Sequence, residues 1–259
     1  MSVISSRDNP RVRRWRDLAR DAAERRKEKS ALIEGGHLVA ACLDSRTPIK
    51  ALILSKSGAQ RSELASLAER SGKEPVELAD SLFRLIADTE TPSGIAAEMV
   101  LPSTKIELKN AASCVFLEGV QDAGNVGTVL RSAAAFGVRL AVLGRGCADA
   151  WSPKVLRAGM GAHFAMTILE NADLGAVIEN FGGKVACTVP RGGVPLADAD
   201  LSGRVGWLFG AEGQGISAAL AARAALKVTI PMPGGAESLN VAAAAAICFY
   251  EFSRRGARA

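Results

Sequence analysis

In the second half of the chain, three short apolar runs each pass straight into a glycine-bearing loop. The first loop is Glu118-Gly-Val-Gln-Asp-Ala-Gly-Asn-Val-Gly127, and it opens a helical pattern that carries Arg131. The second is Phe209-Gly-Ala-Glu-Gly-Gln-Gly-Ile216, and the third is Ile230-Pro-Met-Pro-Gly-Gly-Ala-Glu-Ser-Leu-Asn240. Strands that alternate with helices imply a mostly parallel sheet covered on both faces. All three loops then leave from its carboxyl edge, where open α/β sheets bind ligands. Glycines there let backbone N–H and C=O groups approach a ligand closely. The loops bring Asn125, Arg131, Glu212, Ser238 and Asn240 within reach of one another. Each also has a plainer reading. Gly127 and Gly215 close tight turns, Arg131 is a surface arginine, Glu212 is a solvated loop tip and Asn240 caps a helix. Three such loops on one edge favour a site.

The alternation runs through the whole chain. Its first part predicts strands at Ala31–Glu34, Lys50–Leu54, Pro75–Leu78 and Gly94–Val100, with helices at Gly36–Leu43, Arg61–Arg70 and Ser81–Ile86. The second predicts strands at Val115–Leu117, Leu140–Leu143, Ala165–Leu169, Lys184–Thr188, Val205–Phe209 and Lys227–Ile230. Its helices are expected at Asn125–Phe136, Lys154–Arg157, Leu174–Asn180 and Leu239–Phe252, the last with Ser238 as N-cap. Leu101–Asn110 carries Pro102, two lysines and little pattern, and reads as a linker. The 259 residues, 48% of them hydrophobic, therefore divide into a smaller α/β domain at 1–104 and a larger one at 105–259.

Charge is concentrated at the start. Residues 7–29 hold ten Arg and Lys against five Asp and Glu, an excess of five that equals the +5 of the whole chain. Val12, Trp15, Leu18, Ala19 and Ala22 recur there at helical spacing, and Asp8 or Asn9 before Pro10 suits a helix start. The segment reads as one amphipathic helix with a basic face. Such a face follows a phosphate backbone or is simply solvated. Trp15 fits core packing better than base stacking.

Several classes fall away. The longest apolar run, Val241 to Tyr250, has ten residues, whereas a membrane span needs ~20. The arginine-rich start lacks the apolar stretch of a secretory signal. Five cysteines, scattered and never spaced as CxxC, read as free thiols of a reducing cytoplasm. With His37 and His163 alone, no metal site is expected. A dinucleotide fingerprint fails because Asp149 stands where the third glycine after Gly144 and Gly146 belongs. No GxSxG elbow occurs, and neither histidine lies in the three loops, which argues against histidine-dependent hydrolysis.

The three loops resemble the three motifs of the SpoU (TrmH) class of RNA ribose 2′-O-methyltransferases. The motifs stand here as Asn125-Val-Gly127-Thr-Val-Leu-Arg131, Leu208-Phe-Gly-Ala-Glu-Gly-Gln-Gly-Ile216 and Ile230-Pro-Met-Pro-Gly-Gly-Ala-Glu-Ser-Leu-Asn-Val241. The first hundred residues are similar to the family's substrate-binding domain through Ser6-Arg-Asp-Asn-Pro10, Glu34-Gly35 and Thr91-Pro-Ser-Gly-Ile95. The resemblance implies an α/β fold with a deep trefoil knot, a rare exception to unthreaded chains. It also implies S-adenosylmethionine as methyl donor and a homodimer packed through the C-terminal domain, with a site that takes residues from both subunits. By motif position Gly210, Ile230, Met232, Ser238 and Leu239 would line the cofactor pocket. Asn125 and Arg131 would serve the RNA ribose, while Glu212, Ser238 and Asn240 would orient the arginine and support the loops. Glu237 is a charge the pattern does not lead one to expect. Arg7, Arg11, Arg13 and Arg14 would then grip RNA phosphates. Ribosomal RNA is favoured as substrate. Transfer RNA, or a non-catalytic RNA-binding protein of the same fold, are the alternatives.

Overall fold

Asn9 starts the first helix, α1 (Pro10–Arg20): its side-chain oxygen accepts the Arg11 amide at 2.9 Å. Pro10 fills the first helical position, where a missing N–H leaves nothing unsatisfied. The computed structural model describes residues 3–103, 108 and 113–256, so most of the expected linker lies outside the described residues. The single basic helix expected through residue 29 is two helices. Asp21 adopts an extended conformation, its amide still bonding the Asp17 carbonyl at 2.8 Å, and its carboxylate accepts the Ala23 amide at 2.7 Å to start α2 (Ala22–Glu28). One aspartate ends a helix and caps the next.

There follow β1 (Ser30–Glu34), α3 (Gly36–Asp44), β2 (Ile49–Ser55), α4 (Ser62–Ser71), β3 (Val76–Leu78), α5 (Asp80–Ile86) and β4 (Ile95–Val100). The sheet order is β1-β4-β2-β3, with β4 antiparallel to both neighbours and β2 parallel to β3. Val12, Trp15 and Leu18 of α1 pack on Leu32, Ile53 and Phe83. Trp15 is core, its indole N–H donating to Glu98 Oε2 at 2.9 Å.

The remaining elements are β5 (Ser113–Glu118), α6 (Ala123–Ala135), β6 (Leu140–Gly144), α7 (Pro153–Gly159), β7 (Thr167–Ala172), α8 (Leu174–Phe181), β8 (Lys184–Thr188), β9 (Val194–Pro195), β10 (Val205–Gly210), α9 (Ala218–Ala221), β11 (Leu226–Thr229) and α10 (Val241–Gly256). The seven strands form one sheet, order β7-β6-β5-β10-β8-β11-β9, and every pairing is parallel. Buried on both faces, its central strands read as unbroken apolar runs. Cys114, Phe116 and Leu208 face α8, where Phe116 and Phe181 meet edge to face at 5.6 Å. Side chains alternate across a strand, so Trp207 and Phe209 take the opposite face, where Phe209 meets Phe249 of α10 at 5.8 Å. Neither β9 nor α9 is foreshadowed by the sequence pattern, because two and four residues are too few to show a period.

The chain forms two units. The first is Met1–Ser103 with Trp151–Phe164, and the second is Thr104–Ala150 with Ala165–Ala259. A contiguous cut does not anticipate the inserted piece: α7 packs on β1 of the first unit, and Arg157 Nη1 bonds Asp88 Oδ2 at 2.5 Å. All five cysteines are free, and Cys42, Cys114, Cys187 and Cys248 are buried. Among the described residues no helix is long and apolar enough to cross a membrane, and no group of three or more His, Cys, Asp and Glu could hold a metal ion.

Candidate active site

Because β5, β10, β8 and β11 are neighbours and parallel, the loops that follow them leave the same edge. Three of these loops enclose a cavity of about 730 Å³, a size in the range of small-molecule sites, within the second unit. Gly210, Ile230, Met232, Ser238 and Leu239, the five residues expected around the cofactor, all line it, as do Glu212 and Asn240. A further stretch was not expected there: Thr188 at the end of β8, and Val189, Pro190 and Arg191 after it. The signal was present, since Pro190-Arg-Gly-Gly193 marks a turn after an anticipated strand.

The loops are tied to one another by side chains far apart in sequence. At the end of β5 Glu118 accepts the Ser217 amide at 2.8 Å, which anchors the far end of the second loop. Asp122 caps α6 by accepting the Asn125 amide at 2.8 Å. This sets the Asn125 side chain, whose Nδ2 donates to Glu212 Oε1 at 2.6 Å. Asn240 Nδ2 donates to the same Glu212 oxygen at 2.8 Å and to Asn125 Oδ1 at 3.0 Å. Its own oxygen accepts the Ala242 and Ala243 amides at 2.9 and 3.2 Å. Asn240, and not Ser238, is therefore the cap of α10. An asparagine offers acceptor and donor on one side chain, so the residue begins the helix and joins all three motifs at once. Ser238 has no such partner among the described residues and lines the cavity.

Arg131 is not brought into this network. It is exposed on α6 and makes no hydrogen bond or ion pair with any described residue. Of the four arginines assigned to RNA, Arg7, Arg11 and Arg13 are exposed. Arg14 is instead turned onto the first unit: its Nη2 bonds the buried Glu98 at 2.7 Å, its Nε reaches the same carboxylate at 3.2 Å, and it pairs with Glu28. The hydrogen bond to Glu98 raises the guanidinium's pKa further, and the bond from Arg14 holds the Glu28 carboxyl below its usual range. The neighbouring Trp15 points inward, and Arg14 flanks it. Periodicity alone did not separate this arginine from the exposed ones.

A parallel sheet with a loop-built cavity at its carboxyl edge is the layout of a ligand-binding α/β enzyme. Residues 112–250 match the SpoU rRNA Methylase family, and residues 9–97 match an MRM3-like substrate binding domain. The 23S rRNA (guanosine(2553)-2′-O)-methyltransferase RlmP of Bacillus subtilis (strain 168) is 36% identical over 253 residues, which cover 96% of this chain and 98% of that one. The AdoMet-bound rRNA methyltransferase from Sinorhizobium meliloti is 28% identical with a TM-score of 0.84, over 98% of each chain. A structure concerned with 2-OH methylation of C/U34 on tRNA is 31% identical with a TM-score of 0.52, and covers 57% of this chain and 97% of its own. The chain belongs to the SpoU rRNA Methylase family.

Proposed function

We propose that this protein transfers a methyl group from S-adenosylmethionine to a ribose 2′-hydroxyl of ribosomal RNA. The observation that carries the reading is the junction of Asn125, Glu212 and Asn240 beside the cavity. The lining suits this donor. Val189, Ile216, Ile230 and Leu239 offer apolar surface for a nucleobase, Gly210, Gly213 and Gly215 let backbone approach a ligand closely, and Glu212 and Glu237 offer negative charge to a cationic ligand. When bound, S-adenosylmethionine supplies a methyl group already activated by its positive sulfur. Gly210, Ile230, Met232, Ser238 and Leu239 would hold it. The protein's main contribution is alignment, which in well-oriented reactions supplies several kcal/mol.

Arg131 positions the ribose and stabilises the charge that develops on its 2′-oxygen. A guanidinium keeps its proton at neutral pH, so the hydroxyl proton leaves to an RNA phosphate or to water. Since Arg131 stands apart from the network of its own subunit, the reading places it in the site of a partner subunit, within a homodimer formed through the C-terminal domain. The loops after β10 and β11 form the trefoil knot. The domain at 1–104 grips RNA through Arg7, Arg11 and Arg13, while Arg14 fixes α1 on its sheet through Glu98. The enzyme works in the cytoplasm.

Ribosomal RNA is supported by the full-length likeness to the Bacillus enzyme. The likeness of the catalytic half to a tRNA-modifying structure keeps transfer RNA as the second reading. Tritium transfer from S-adenosylmethionine to purified rRNA and tRNA tests both. Ribose methylation leaves alkali-resistant dinucleotides, because a blocked 2′-oxygen cannot cleave its neighbouring phosphate. Label that alkali releases entirely as mononucleotides would overturn the assignment. Mapping ribose methylation in a strain lacking the gene identifies the nucleotide.

A further inference from the structure

The side chains lining the cavity include three full charges, Arg191, Glu212 and Glu237. Glu212 is occupied by the amides of Asn125 and Asn240. Arg191 and Glu237 make no hydrogen bond or ion pair with any described residue, although both line the same cavity. They sit on adjacent loops: β8 and β11 pair directly, Thr188 opposite Val228, so the segments after them leave side by side. The loop that carries Arg191 is pinned at its base. Thr229 Oγ1 donates to the Val189 carbonyl at 3.1 Å and accepts the Gly193 amide at 3.0 Å, and the Val189 amide bonds the Val228 carbonyl at 2.9 Å. Arg191 is thus the tip of a short loop whose two ends are fixed to one threonine.

Taking the cavity as the S-adenosylmethionine site, we infer that Arg191 and Glu237 read the amino-acid end of the donor, Arg191 taking its carboxylate and Glu237 its ammonium. That end holds two opposite charges. The remainder of the donor is an uncharged nucleoside and a sulfonium, which a guanidinium repels. A guanidinium matches a carboxylate with two parallel hydrogen bonds. Both residues are positioning residues for the donor, with no part in moving the proton.

The test is calorimetric binding to the full-length protein of two uncharged-sulfur ligands, S-adenosylhomocysteine and 5′-methylthioadenosine. They share the nucleoside and the thioether, and the second lacks the amino acid. Arg191→Gln and Glu237→Gln should each weaken S-adenosylhomocysteine about 10-fold or more, as expected for loss of a charge-assisted hydrogen bond. Affinity for 5′-methylthioadenosine should stay within about two-fold, since the loops that hold the nucleoside keep their shape. Thr229→Val should weaken S-adenosylhomocysteine more than 5′-methylthioadenosine, because it frees the base of the Arg191 loop. Parallel losses for both ligands in the two charge variants, or no loss for either, would overturn the inference. Failure of the wild-type protein to bind either ligand would instead overturn the reading of the cavity itself.

Discussion

Gly210, the last residue of β10, lies so close to Gly215 that a methyl group on it would sit 2.1 Å from the Gly215 carbonyl oxygen. The obstacle is backbone, which cannot swing aside as a side chain does. The approach is the neck of the second loop, where the Gly215 amide bonds the Ala211 carbonyl at 2.8 Å.

Gly210→Ala should therefore force the neck open, lower stability by ~1–3 kcal/mol, and abolish donor binding. Gly213→Ala is the control. Gly213 has φ +84 and open space among the described residues where a methyl group would stand, so only backbone strain of ~1–2 kcal/mol applies and the neck stays shut. Urea unfolding and calorimetry on both variants check the pair. Equal donor affinity in the two variants would contradict the steric argument.

The two roles of Asn240 can be separated. Asn240→Ser keeps an oxygen for the α10 amides but loses the donor to Glu212 and Asn125, whereas Asn240→Ala loses both. The alanine variant should be less stable than the serine variant by about 1 kcal/mol, the worth of an N-cap. Both should lose methyl transfer. Melting temperatures and single-turnover transfer, measured side by side, decide the matter.

Exposed and without a hydrogen bond or ion pair to any described residue, Arg131 contributes little to folding. Arg131→Ala should leave stability within about 0.5 kcal/mol and donor binding near wild type. Methyl transfer should fall ~100-fold or more, in line with loss of a group that stabilises developing negative charge. Equal loss of donor binding and turnover would make Arg131 a structural residue.

Burial pushes the Cys42 thiol up to about 12, and burial raises Cys114 and Cys248 as well. An unfolded thiol ionises near ~8.5, so between these values the unfolded chain sheds protons that the folded chain keeps. Stability is then full below pH ~8.5 and falls as pH rises toward the folded value. Urea midpoints at pH 8, 9 and 10 should decline, and the decline should be shallower in Cys42→Ala. Thiol labelling at pH 8 should be slow in the native protein and rapid in urea.

The sheet strands were legible because a parallel sheet covered on both faces needs uninterrupted apolar residues, as in Val205–Gly210. The site loops were legible because glycine, Asn and Glu cluster where such strands end. What escaped was tertiary or local competition. Asp21 divides a helix whose apolar spacing runs on through Ala22, because its carboxylate caps Ala23 better than the helix continues. Ser238 and Asn240 are both acceptable caps by type, and only the register of the third loop selects Asn240. Arg14 looks like its neighbours until Glu98, 84 residues away, arrives beside it. The short α7 was visible near Lys154–Arg157, but its buried Val155 and Leu156 carry no mark of which core they enter.

That last placement decides how the molecule can be taken apart. The backbone passes between the two units three times, near residues 103, 150 and 164, so no single cut separates them. A recombinant fragment ending at Ser103 would lack the helix that lies on β1 and the arginine that meets Asp88. Anyone transplanting the first unit onto another protein must splice in Trp151–Phe164 as well, or accept a scaffold with one wall missing.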